Sequence, residues 1–139
     1  MKKLTMSIVA LMTALVMALS LTACGASPEE KLANYIESET FQTQLDSIKS
    51  SFESVMDIDV KAEENKVIFE YKYKTQIDDA TVEVSKTQFD SAFESMSSTF
   101  EGIADTIKEE VGVENPVVVI DILNADGSEI TSIEFGTSK

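Results

Sequence analysis

Apolar positions along the chain change their spacing from region to region, and each spacing predicts an element. Leu32, Tyr35 and Ile36 make one apolar turn, and Phe41, Leu45, Ile48, Phe52 and Val55 then recur at steps of four and three, as one helix face requires. The step from Ile36 to Phe41 shifts the phase and predicts a kink or short break at Ser38-Glu39-Thr40. Ser27-Pro28-Glu29-Glu30 supplies the start, with Ser27 as cap, Pro28 in the first helical position and Glu30 closing a capping box.

From Asp57 to Glu63 the alternation is strict. Ile58, Val60 and Ala62 fall against Asp57, Asp59, Lys61 and Glu63, the signature of a half-buried strand. Glu64-Asn65 reads as the turn, with Asn65 expected to take the positive φ. Val67, Phe69, Tyr71, Tyr73 and Thr75 then alternate with Glu70, Lys72, Lys74 and Gln76, so the two strands should pair as a hairpin with one wet face. Tyr71 and Tyr73 share the phase of Val67 and Phe69, which places them in the core in preference to an exposed aromatic platform.

The next stripe, Phe89, Phe93, Met96, Phe100, Ile103, Ile107 and Val111, steps by four and three without a break and predicts one long helix. Its start is open. Ser85 with Gln88 forms a capping box and Val84 with Phe89 a hydrophobic staple, yet Val82 is also in phase and allows a start near Asp79. Gly102 in mid-helix costs about 1 kcal/mol against Ala, and close packing against a neighbour is the expected reason. Gly112 ends the helix and Pro116 opens a strand from Val117 to Leu123, apolar on both faces apart from Asp121 and therefore central in a sheet. Asn124-Ala125-Asp126-Gly127 is a hairpin turn, and Ile130 to Phe135 returns as the last strand. The order αββαββ predicts an α+β domain. Two amphipathic helices pack on one face of a four-stranded antiparallel sheet.

The first 23 residues differ in kind. Met1-Lys2-Lys3 is a short basic start, and Leu4 to Leu21 is nearly all apolar or small, the pattern of a secretory signal peptide. A spanning helix is the rival, but the run is marginally short and carries Thr5, Ser7, Thr13 and Ser20. Leu21-Thr22-Ala23-Cys24 resembles the lipobox of bacterial lipoproteins. That resemblance implies a diacylglyceryl group on the Cys24 sulfur and cleavage between Ala23 and Cys24, with N-acylation of the new terminus, by palmitate for example, left open. Two acyl chains hold a protein on a membrane where one is marginal. The chain thus divides into a signal peptide, 1–23, and an acidic domain, 24–139. The domain is anchored to the cell membrane through Cys24 on the extracytoplasmic face. Gly25-Ala26-Ser27 reaches roughly 10 Å when extended, so the domain should sit close to the bilayer.

Charge sharpens this picture. All 25 acids lie after residue 23, against nine lysines and no arginine, a charge of −16 for residues 24–139. Nucleic acid is excluded as a partner, because proteins bind it by neutralising phosphate with Lys and Arg. The chain has no His, and Cys24 is its only cysteine. No intrachain disulfide can form, and triads, His metal sites and Arg phosphate clamps have no residues to build them. No Gly-rich phosphate loop is present. Asn124-Ala125-Asp126-Gly127 fails as a calcium loop, because Ile122 and Ile133 fall where acidic ligands are required. Asp57 and Asp59 could make a weak surface cation site, with an ordinary polar strand face as the preferred reading. No cofactor, metal or catalytic residue is expected.

The lipobox, the capped helix, Lys66-Val67-Ile68-Phe69-Glu70-Tyr71-Lys72-Tyr73 and the closing Leu123-Asn124-Ala125-Asp126-Gly127-Ser128 resemble a family of small Gram-positive bacterial lipoproteins that carry a domain of unknown function. The resemblance implies an address and a fold, and no functional residue beyond Cys24. The expectation is a non-catalytic binding or adaptor module for an envelope protein or polymer. Its surface would be the polar sheet face (Glu70, Lys72, Lys74) and the sheet edges. The alternatives are a carboxylate-dependent envelope hydrolase and a passive acidic surface protein.

Overall fold

The computed structural model describes residues 27–138, so Ala23, Cys24 and the leader lie outside the described residues. Helix α1 (Pro28–Glu37) begins as its sequence requires. The Glu30 N–H donates to Ser27 Oγ at 3.2 Å, and the Ser27 N–H donates to the Glu30 carboxylate at 2.9 Å. The break falls at Ser38, which ends α1 and caps α2 (Glu39–Phe52). Its backbone is extended at φ −60° and ψ 143°. Its hydroxyl donates to the Tyr35 carbonyl at 2.7 Å and accepts from the Phe41 N–H at 3.4 Å. A break stitched this way costs little, because the backbone groups freed at a helix end find side-chain partners.

Strands β1 (Met56–Glu63) and β2 (Lys66–Tyr73) pair antiparallel, with Glu63 opposite Lys66 across the turn. The positive φ in that turn falls on Glu64, at 55°, and not on Asn65 as expected. Both residues have other work. The Glu64 N–H donates to the Glu29 carboxylate at 3.0 Å, while Asn65 Nδ2 donates to the Asn115 carbonyl at 2.5 Å.

Of the two starts open to the next helix, the earlier is adopted. Helix α3 (Asp79–Ser95) is capped by Asp78, whose carboxylate accepts from the Thr81 N–H at 2.8 Å, and Ser85 is fully buried inside the helix. The single long helix is not observed. The chain breaks at Met96 (φ −113°, ψ 16°), resumes as α4 (Ser97–Thr106) and closes with a π-helical turn at Ile107–Val111 before Gly112 (φ 73°). The apolar stripe hides this break because α4 resumes in phase: Phe93, Phe100 and Ile103 all remain buried. Close packing of Gly102 is also not observed, since a Cβ built there meets nothing within 4 Å.

Strands β3 (Val117–Leu123) and β4 (Glu129–Phe135) pair antiparallel through the Asn124–Ser128 turn, where Gly127 takes φ 87°. The sheet order is β1-β2-β3-β4, and its central pair, β2 with β3, is parallel. The sheet is therefore mixed and not purely antiparallel. The reason is the connection. Residues 74–116 carry α3, α4 and the π turn back along the sheet, and such a helical crossover is what a parallel neighbour needs. The result is an α+β domain with four helices and a four-stranded mixed sheet.

One core lies between helices and sheet. Tyr35, Phe41 and Ile48 from the first helix pair, and Phe89, Phe93, Phe100 and Ile107 from the second, meet Tyr71, Ile120 and Phe135 from the strands. Ring contacts run Phe89–Phe93–Phe100–Phe135 at 5.9, 5.9 and 4.5 Å between centroids, joining α3, α4 and β4. Tyr71 and Tyr73 lie in this core, 1% and 7% exposed, so neither forms an exposed platform.

Candidate functional site

Strand alternation sends one set of side chains under the helices and leaves the other on a face that none of the described helices covers. On that open face the register lines up rows across the sheet. Lys61, Ile68, Val119 and Glu134 make one row; Asp59, Glu70, Asp121 and Ser132 make the next. In the first row the two central strands contribute Ile68 and Val119, both buried, and the outer strands contribute charge; in the second the central strands themselves carry Glu70 and Asp121.

Ion pairs flank those aliphatic residues on the same face. Lys66 Nζ lies 2.7 Å from Glu134 Oε1, a span from β2 to β4 across the intervening strand. Lys61 pairs with Glu70 at 3.4 Å. Its hydrogen bond to Glu134, then the charge of that carboxylate, raises the Lys66 pKa above the ordinary lysine value. Exposed pairs of this kind add little to stability, with a typical worth of about 0–1 kcal/mol.

Asp121 accepts from Ser132 Oγ at 2.5 Å, and Asp59 accepts from the Val60 N–H at 3.0 Å. In this row Asp59 stands directly opposite Glu70, and Glu70 opposite Asp121. Like charges directly opposite each other on a sheet are destabilising. The face also holds a shallow depression of about 290 Å³, floored by Ile68 and Val119 and walled by Glu63, Lys66, Asp121 and Glu134. A second depression of about 480 Å³ lies where α2 ends beside the start of β1, between Lys49, Glu53, Asp57 and Lys74. Lys74 meets Asp57 there at 3.3 Å. Among the described residues no three acidic, His or Cys side chains gather as metal ligands, and Asp57 and Asp59 bond to different partners.

Of the polar surface expected from sequence, Glu70 and Lys72 lie on the open face, and Lys74 lies just beyond the end of β2 at the second depression. The contribution of the second hairpin was not foreseen. Asp121, Ser132 and Glu134 reach the same face because β3 runs parallel beside β2. The signal for it was Asp121 itself, a lone charge in an otherwise apolar strand. Cys24, expected to carry the lipid, and Ala23, expected to precede the cleavage site, lie outside the described residues, and among those described no helix is long and apolar enough to cross a membrane.

Helices on one side of a mixed four-stranded sheet, and a charged face on the other, define the class: a small α+β domain with one open sheet surface. The model of a family described as a domain of unknown function, DUF4854, matches residues 32–135, and the chain belongs to that family. No curated protein and no solved structure matches it.

Proposed function

We propose that the chain is a lipoprotein held on the extracytoplasmic face of the cell membrane through diacylglyceryl-modified Cys24, and that its domain is a non-catalytic binding or adaptor module. The observation that carries the address is Leu21-Thr22-Ala23-Cys24 behind a basic start and an apolar run, followed at once by the capped start of α1 at Pro28. Mass spectrometry of the native product tests it. A chain beginning at Cys24 with added diacylglyceryl mass is expected. A free thiol on a chain that retains its leader overturns the address.

The binding reading rests on the open sheet face, a four-strand surface that keeps unfavourable like-charge neighbours around an aliphatic centre. Charges that folding does not need are what a binding surface retains. The partner is an envelope protein or polymer, not a nucleic acid. Cross-linking in the native envelope, followed by recovery of the anchored protein, is the test. Partners captured by the unmodified chain should be lost on Asp121→Lys and retained on Glu109→Lys, an exposed position on the π-helical turn. Equal capture by both variants would remove the open face as the binding surface.

A further inference from the structure

The end of the domain at which the described chain begins is also the end at which β1 turns into β2. Three long-range bonds define that pole. The Glu64 N–H donates to the Glu29 carboxylate at 3.0 Å, Lys31 Nζ donates to the Gly112 carbonyl at 2.8 Å, and Asn65 Nδ2 donates to the Asn115 carbonyl at 2.5 Å. The first turn of α1 is thereby tied to the β1–β2 turn and to the end of the π-helical turn. It cannot swing away without breaking contacts 35 and 81 residues distant. Ser27 is held in turn by its capping box. Only Gly25 and Ala26 separate it from Cys24.

The opposite pole is where α2 ends and α3 begins. There the Lys74 N–H donates to the Val55 carbonyl at 3.0 Å, and Asn124 holds Ile77. β1 runs from one pole to the other. Seven residue steps separate Met56 from exposed Glu63, about 23 Å at the rise of a strand, and exposed Ser54 lies in the turn beyond Met56.

We infer that the domain stands on the bilayer with its β1–β2 turn pole toward the lipid, its strands steep to the membrane plane, and the pole between α2 and α3 facing outward. This rests on the anchored reading above. Two things impose it. The tether is shorter than β1 by a factor of about two, so the pole bearing Ser27 stays beside the head groups. That pole is itself acidic, with Glu29, Glu30, Glu63, Glu64 and Glu114 against Lys31 and Lys66, so the tether and not charge holds it at the lipid. The open face is acidic as well. An anionic lipid surface repels carboxylates within a Debye length, and lying flat brings far more of them to that surface than standing upright. The open face is then presented sideways, clear of the bilayer and reachable from the envelope.

The test uses the full chain, lipidated in its host and reconstituted in phosphatidylcholine–phosphatidylglycerol vesicles with an acceptor dye on the lipid head groups. Glu63→Cys and Ser54→Cys each accept one donor dye, since the anchor blocks the Cys24 thiol. Energy transfer from position 63 should exceed that from position 54 by about twofold or more, given the ~23 Å length of β1 between them. Equal or reversed transfer, with diacylglyceryl mass on Cys24, overturns the orientation and leaves the anchor standing. A bare Cys24 thiol overturns both.

Discussion

Ser27 and Ser38 close both helix starts in the first half of the domain with side-chain bonds spanning three residues, and a two-residue turn joins β1 to β2. The second half repeats the element order with other means. Asp78 caps α3, but α4 starts at Met96 without a side-chain cap. A register shift interrupts the β3–β4 pairing at Ile122 and Leu123. What organises this half comes from far away: Asn124 reaches back 47 residues to bond both the N–H and the carbonyl of Ile77. Local chemistry sets the first half, and distant contacts set the second. Two copies of one element order need not share one source of stability.

The sharpest way to break this comparison is in the core. Phe93 is fully buried and lies between Phe89 and Phe100, and Phe100 stacks on Phe135, so it joins three elements of the second half. Phe93→Ala should cost about 3–5 kcal/mol, the usual loss for a buried Phe. Phe41→Ala removes one edge contact, with Tyr35 at 5.2 Å, and should fall at the low end of that range. Urea titration measures both. A larger loss at Phe41 would put the weight of the core in the half that local chemistry already secures.

Asn124 comes next. It is 2% exposed, and its amide bonds Ile77 at 3.0 and 2.9 Å and the Ala125 N–H at 2.9 Å. Asn124→Ala leaves three part-buried backbone groups without this partner and should cost about 2–4 kcal/mol, below the sum at roughly 1–3 kcal/mol for each fully buried group, because water reaches them. Asn124→Asp keeps the acceptor but sets a buried carboxylate oxygen against the Ile77 carbonyl, so at neutral pH a loss at least as large is expected. Faster hydrogen exchange at Ile77 and Thr81, with β1 and β2 unchanged, would locate the damage in the second half.

The halves should also differ in their response to pH. All three tyrosines lie in the first half. Burial pushes Tyr35 up to about 12 and raises Tyr71 and Tyr73 as well. A raised value means the unfolded chain loses its proton first, so the stability is intact below pH 10 and lost as pH climbs toward 12. Tyr35 alone accounts for about 2 kcal/mol of that loss. Asp78 and Asp126, both in the second half, are lowered. The Thr81 bonds hold the first, and the Ser128 bonds hold the second. A lowered carboxylate contributes stability above its ordinary value of 3.8, lost as pH falls below it. Base should loosen the first half before the second, and acid the reverse. Residue-resolved amide exchange across the pH range checks this. Tyr35→Phe should flatten the alkaline limb.

This division also explains what could be foreseen. The break at Ser38 was legible because a phase shift and a capping residue coincide there. So was the hairpin β1–β2, whose alternation is strict and whose turn is short. The parallel pairing of β2 with β3 was not, because αββαββ is compatible with either direction and the deciding contacts are as remote as Asn65 with Val117. The fold at Met96 was invisible for a similar reason. A helix that breaks and resumes in phase leaves its apolar stripe intact. Of the candidate surface, Glu70 and Lys72 could be read from alternation within one strand. Asp121, Ser132 and Glu134 could not be added until the sheet order was known. Glu64 took the positive φ from Asn65 because Asn65 is engaged with Asn115, a contact between halves.

The smallest expected effect turns on Gly102, where the sequence suggested a close neighbour and the fold supplies none. Gly102 lies in α4 with a helical backbone, and a Cβ placed on it meets nothing within 4 Å. Its carbonyl accepts from the Thr106 hydroxyl at 2.9 Å, a bond that a methyl group at Cα leaves intact. Gly102→Ala should therefore stabilise the protein by about 0.5–1 kcal/mol, because alanine loses less backbone freedom on entering a helix. A rise in Tm at unchanged unfolding cooperativity is the expected measurement. The gain would come from local propensity, added to the half that has least of it. A loss of stability would mean that α4 needs the freedom of glycine, which makes the helix after Met96 a hinge and the second half a moving part.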